Sequence, residues 1–208
     1  MSLPNRSQLA ARRVSRAREM LRSCGLCPHL CGVDRAAGET GECETGPDLT
    51  VSAVNLHLGE EPAIGGTGGS CNVFMTGCNL HCISCQNHPI SHLGVGRPST
   101  PGELVDRVEA VLRRGTDVLN VVTGTHQIPA LLEPLAALLE RHPALTVVWN
   151  SSGYERVQTL SLLQGLVDVY LPDLKFLDDR IAAQLADAPD YPQVAMDALR
   201  EMARQVGP

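Results

Sequence analysis

Lysine is almost missing from this chain: sixteen arginines accompany one lysine, Lys175, in 208 residues. Either composition alone explains that scarcity, or Lys175 stands where a compact ammonium is needed and a planar guanidinium will not serve. Long apolar runs are absent as well, and no stretch approaches the ~20 residues a membrane span requires. The start carries no apolar segment of the secretory kind, which argues against an oxidising compartment and a disulfide framework. Positive charge is also short, with a net charge of −6. A phosphate-binding surface would be basic, so nucleic acid is excluded as a general partner.

What the chain does have is cysteine, eight in all. Three fall within eight residues, Cys78-Asn-Leu-His-Cys82-Ile-Ser-Cys85, after the strand-like run Asn72-Val-Phe-Met-Thr-Gly77. Three thiolates from one short loop suit three corners of an iron-sulfur cube and leave its fourth iron open. A structural zinc site wants four closed ligands, and here only His81 or His88 is near enough in sequence to supply the fourth. Cys71, inside the same strand, reads as a small buried residue. Four more cysteines, Cys24, Cys27, Cys31 and Cys43, have the count for a second closed metal site, zinc or iron-sulfur, and their spacing does not choose between the two.

Around these clusters the pattern is one of alternation. Residues 7–22 read as a helix with an Arg-rich outer face; an organelle transit peptide shares that composition, but a solvated helix explains it more simply. The glycines of Gly65-Gly-Thr-Gly-Gly69 are followed by no Gly-Lys-Ser/Thr, so they read as a flexible approach to the first strand rather than a phosphate loop. From there the pattern predicts strands at 72–77, 117–123, 145–150 and 166–171. Helices are predicted at 101–114, 129–141, 155–163, 178–186 and 191–205. Strand-helix alternation of this kind is the signature of a parallel sheet with outer helices, an α/β fold. Residues 1–48 form an N-terminal helix and Cys-rich module, and residues 49–208 the α/β domain.

In such folds functional groups gather beyond the C-terminal ends of the strands. Here those ends carry Cys78, Cys82 and Cys85, then Thr123-Gly124-Thr125-His126, then Asn150-Ser151-Ser152-Gly153, then Asp173-Leu174-Lys175. Helix capping accounts for some of the hydroxyls, Thr125, Ser151 and Ser152 among them. It does not account for polar residues at the same place four times.

The cysteine loop in this setting resembles the radical S-adenosylmethionine (SAM) superfamily. Further stretches are similar to the branch related to pyruvate formate-lyase activating enzymes: the leading Cys-rich module, Gly59-Glu-Glu-Pro62, Cys85-Gln-Asn87, Asn150-Ser-Ser-Gly-Tyr154 and Tyr170-Leu-Pro-Asp-Leu-Lys175. The resemblance implies a partial (β/α) barrel with about four units present. It implies a [4Fe-4S] cluster on Cys78, Cys82 and Cys85, and SAM held at the open iron. One electron then splits SAM to methionine and a 5'-deoxyadenosyl radical that takes hydrogen from a substrate, a glycyl-radical protein being one candidate. Thr123, Gly124, Thr125, Asn150, Ser152, Asp173 and Lys175 are the implied SAM contacts. A low-potential electron donor and a cytoplasmic setting go with that chemistry.

The chain departs from the family pattern at Ser84, where an aromatic residue is usual, and at Thr123-Gly-Thr125, where a Gly-Gly-Glu is common. Only four strands are legible where the family's barrel generally uses six, so a chain truncated at its C-terminus is expected. Two alternatives follow: a zinc-stabilised binding module, and an inactive shortened homologue.

Overall fold

The computed structural model describes residues 4–207. Its first element, α1 (Arg6–Glu19), opens with a reciprocal cap: the Asn5 side chain accepts from the Gln8 amide at 2.9 Å, and Gln8 Oε1 accepts from the Asn5 amide. Two of the donors left free at a helix start are thereby satisfied. The helix buries Ala10 and Ala17 and lies against α5 (Ile128–Arg141). Its arginines are less solvated than the sequence predicts. Arg6 donates to the Leu145 and Leu166 carbonyls and pairs with Asp168, and Arg13 donates to the Leu162 and Gln164 carbonyls. They satisfy loop carbonyls at the N-terminal end of the sheet, the end opposite the site.

Six strands make one sheet in the order β3-β1-β2-β4-β5-β6: β1 (Leu49–His57), β2 (Ser70–Met75), β3 (Arg97–Ser99), β4 (Val118–Val122), β5 (Thr146–Ser151) and β6 (Val169–Pro172). The four strands expected from sequence are β2, β4, β5 and β6, and they pair in parallel. The other two extend the sheet antiparallel and were not foreseen. The nine-residue β1 stands upstream of the glycine run, in a stretch for which the sequence pattern predicts no element, because β1 takes its order from non-local pairing to β2. Its side chains are mostly half-buried and do not alternate cleanly.

Between the strands run α2 (Pro62–Gly65), α3 (His88–Ser91), α4 (Pro101–Leu112), α5 and α6 (Val157–Leu160), followed by α7 (Asp179–Ala186) and α8 (Tyr191–Val206). The helix expected at 155–163 is a single turn. Arg156 is held extended, its guanidinium donating to the Gly25 carbonyl, and Glu155 is turned inward to accept three hydrogen bonds.

Period-two alternation divides the sheet's faces. Cys71, Val73, Met75, Leu119, Val121, Val147 and Trp149 face one way and join Leu104, Val108, Leu131, Leu135 and Leu138 of α4 and α5 in the main core. The opposite face carries Asn72, Phe74, Asn120, Val122 and Asn150, and it lines a cavity. A smaller core of Leu80, Tyr154, Ala182, Ala186, Tyr191 and Ala195 sits under the cysteine loop. No described helix is long and apolar enough to cross a membrane.

Candidate metal and cofactor site

The loop after β2 begins at Gly77, whose φ of +80° falls in the left-handed region. A Cβ there would stand 2.7 Å from the Cys43 carbonyl oxygen and 2.8 Å from Thr45 Cγ2, so only glycine lets the chain enter the loop. Beyond it the loop is hung on the C-terminal end of α7: the His81 amide donates to the Ala186 carbonyl and the Ile83 amide to that of Leu185. Last-turn carbonyls have no partner within their own helix, and here the loop supplies one.

Cys78, Cys82 and Cys85 line one cavity of ≈ 810 Å³ together with Thr123, Asn150, Ser152, Asp173 and Lys175. Burial pushes the Cys78 thiol up to about 12, with Cys82 and Cys85 adding to the effect and Lys175 opposing it. Cys82 is raised for the same first reason, again against Lys175. Such thiols keep their protons at neutral pH unless a cation takes the proton's place. Lys175 Nζ sits 2.7 Å from Asp173 Oδ2. The Tyr191 hydroxyl accepts from the Lys175 amide and lies 2.7 Å from the Ser152 and Asp173 carbonyls, tying the last two loops together. Thr123 holds a left-handed φ of +56°, uncommon for a β-branched residue, and its amide donates to the Asn150 carbonyl.

Gly124 and Thr125 fall outside the cavity lining. A Cβ on Gly124 would meet Trp149 at 2.6 Å, and the Thr125 hydroxyl donates to Glu155. Glu155 is buried, also accepts from Trp149 Nε1 and Ser151 Oγ, and burial raises its carboxyl above the ordinary range. Sequence reasoning passed over Glu155 and Tyr191, since their value comes from loops that only the fold brings near.

The second cysteine set is largely shielded from solvent. Cys24, Cys27 and Cys43 are buried and Cys31 half-buried. Burial pushes Cys27 up to about 12, with Cys43, Cys31 and Cys24 each adding to the rise. Beside them Arg35 is buried, with Nη1 3.9 Å from Cys24 Sγ. Its other partners are the His126 and Gly46 carbonyls and the Thr45 hydroxyl, and no ion pair is seen for it among the described residues.

Among the described residues, no three His, Cys, Asp or Glu side chains close on one point as ligands to a single ion. Near the triplet, His81 stands edge-on to His92 at 5.7 Å, and His88 stacks on His92 at 4.5 Å. The tetrahedron expected of Cys24, Cys27, Cys31 and Cys43 is likewise not closed. Thiols that serve different irons of a cube have no need to meet at one point.

A mostly parallel α/β sheet with three cysteines on the loop after its first parallel strand defines a partial β/α fold with a thiol-bearing rim. Residues 72–207 match the model of the Radical SAM superfamily, and the chain belongs to that superfamily. It is 33% identical over 186 residues to the uncharacterized protein MJ0674 of Methanocaldococcus jannaschii, covering 86% of this chain. The chain spans about half of that relative's length, 53%. The superfamily uses a [4Fe-4S] cluster, SAM and a source of electrons. Neither comparison carries the finer assignment to the activating-enzyme branch.

Proposed function

We propose that this chain carries the reductive SAM-cleaving centre of a radical enzyme, with Cys78, Cys82 and Cys85 as the cluster ligands. The observation that carries the reading is the shared cavity: three thiols open onto the same space as Lys175, Thr123 and Asn150. When bound, the reduced cluster supplies the electron that splits SAM into methionine and a 5'-deoxyadenosyl radical. The protein's own part is to bind and orient. Lys175 offers a compact cation to the methionine carboxylate, and Asp173 holds that cation in place. Thr123, Asn150 and Ser152 present polar groups to the amino and ribose ends. Gly124 and Thr125, assigned by resemblance to the same contacts, instead support the loop through Trp149 and Glu155. Phe176 and Leu80 close the apolar side of the cavity and help exclude water.

For Cys24, Cys27, Cys31 and Cys43 we propose a second metal centre. The buried Arg35 supports it, since an unpaired guanidinium needs compensation and a thiolate centre of net negative charge supplies it. A glycyl-radical protein as the substrate rests on the sequence resemblance alone.

The test is anaerobic reconstitution followed by iron and sulfide analysis, with 5'-deoxyadenosine measured under a strong reductant. Cys82→Ala is expected to abolish the SAM-responsive cluster signal and product formation. Cys71→Ala, at a strand position with no exposed surface, is expected to keep both and to lose only about 1 kcal/mol of stability. A colourless protein holding only zinc, or a Cys82→Ala variant with its SAM-responsive cluster intact, overturns the reading.

A further inference from the structure

Below the proposed SAM contacts, the cavity-lining face of the sheet carries amides where a strand interior would ordinarily carry valine or isoleucine. Asn55 pairs with Asn72 across β1 and β2, and Asn72 with Asn120 across β2 and β4, so the three stand in one row on one face. All three line the same cavity as the cysteines, together with His57 and Glu60. Their neighbours of opposite parity, Cys71, Val73, Leu119 and Val121, are ordinary core. The row therefore serves the cavity and not the helix packing behind the sheet.

Its partners form a built arrangement. Glu60 Oε2 accepts from Asn120 Nδ2 at 2.9 Å and lies 2.9 Å from Ser70 Oγ, which is itself 2.6 Å from Asn72 Oδ1. Asn120 is 1% exposed, yet its Oδ1 has no partner. Glu60 Oε1 likewise has no hydrogen bond from the described residues, while Oε2 is fully engaged. A carboxylate oxygen and a buried amide oxygen, both free and joined through the Asn120 side chain, make an acceptor-rich pocket with negative charge. Buried polar atoms are rarely left unmet in a folded chain, and those that are call for an explanation. The two free acceptors suit a compact group that brings several N–H donors and a positive charge.

We propose that Glu60 and Asn120, backed by Asn72 and Asn55, form a substrate subsite for the ammonium group of a small molecule. The amide row starts at strand positions that precede the rim, so the subsite lies deeper than the cysteine loop, and the cavity has room for two occupants. The subsite deepens the proposed function, because it names the class of molecule from which hydrogen would be taken. Glu60 lies in the Gly59-Glu-Glu-Pro62 stretch that leads from β1 into α2.

The experiment titrates the reconstituted protein, with SAM present, against ethanolamine and glucosamine and against their neutral counterparts ethylene glycol and glucose, by calorimetry. At least one amine is expected to bind, with its neutral counterpart at least tenfold weaker. Glu60→Gln and Asn120→Val are each expected to weaken amine binding at least tenfold while leaving cluster absorbance and SAM affinity unchanged. In the unaltered chain, the bound amine is expected to slow esterification of Glu60 by a diazo reagent, which does not couple amines to carboxylates; the labelling is read by mass spectrometry and needs no variant to fold. No binding by either amine, equal binding of the neutral counterparts, equal binding by both variants, or unprotected Glu60 labelling overturns the proposal. SAM cleavage without amine binding sinks the subsite alone. Glu60-dependent amine binding without SAM cleavage keeps the subsite and sinks the proposed function.

Discussion

His126 follows the strained Thr123 and the buried Thr125, and it has no exposed surface to speak of. Its Nε2 lies 2.8 Å from the Thr76 carbonyl, so the neutral ring donates there, and its Nδ1 has no partner. Burial pushes its pKa down to about 4; the Thr76 carbonyl opposes the drop, and nearby Arg35 adds to it. Below the ordinary value of 6.5 the unfolded chain takes up a proton that the folded chain refuses. Stability contributed by neutral His126 is thus present above pH 6.5 and is lost as pH falls from 6.5 toward 4, by up to ~1.4 kcal/mol per pH unit. Urea denaturation from pH 7.5 to 4.5 is expected to show that slope, and His126→Gln, which keeps a donor for Thr76, to flatten it. At this scale the sequence was legible wherever chemistry was local. The triplet cysteines stand out by type and spacing and Lys175 as the one lysine of the chain, and all four line one cavity. Asn72 and Asn120 were passed over because an asparagine inside an apolar strand gives no sign of which face it occupies until the register is known.

Glu155 acts between elements. Its Oε1 accepts from Thr125 of the loop after β4 at 2.6 Å and from Trp149 of β5 at 2.9 Å, and its Oε2 accepts from Ser151 at the end of β5. Removing the carboxylate leaves three buried donors without an acceptor. Glu155→Ala is therefore expected to cost about 3–5 kcal/mol in chemical denaturation. Glu155→Gln retains the acceptor for Thr125 and Trp149 and is expected to cost less than half as much. Elements with strong periodicity were read nearly to their ends, as with α4, α5 and the parallel strands. Two readings differed for the same reason. Strand β1 and the shortened α6 are decided by partners far away in sequence, β2 in one case and the Gly25 carbonyl in the other. A local pattern holds no record of such partners.

Across the whole molecule, Arg35 joins the N-terminal cysteine segment to the barrel. One guanidinium reaches the His126 carbonyl beyond β4, the Thr45 hydroxyl and the Gly46 carbonyl, with Cys24 beside it. Arg35→Met is expected to lower global stability by about 2–4 kcal/mol, since carbonyls that accept from a charged donor lose it together. Hydrogen exchange is expected to localise the loss to residues 24–46 and to the start of the cysteine loop, where Gly77 packs against Cys43. By itself the sequence determined the fold class and where the four parallel strands fall along the chain, and it grouped the cysteines, because alternation and thiol spacing are local properties of the chain. Tertiary structure alone decided which face of the sheet is polar, that Glu60 meets Asn120, that Thr125 turns inward to Glu155, and that Arg35 is buried beside thiols. Those contacts span 60, 30 and 11 residues, and they exist only after strand pairing fixes the register and loop packing brings the rim together.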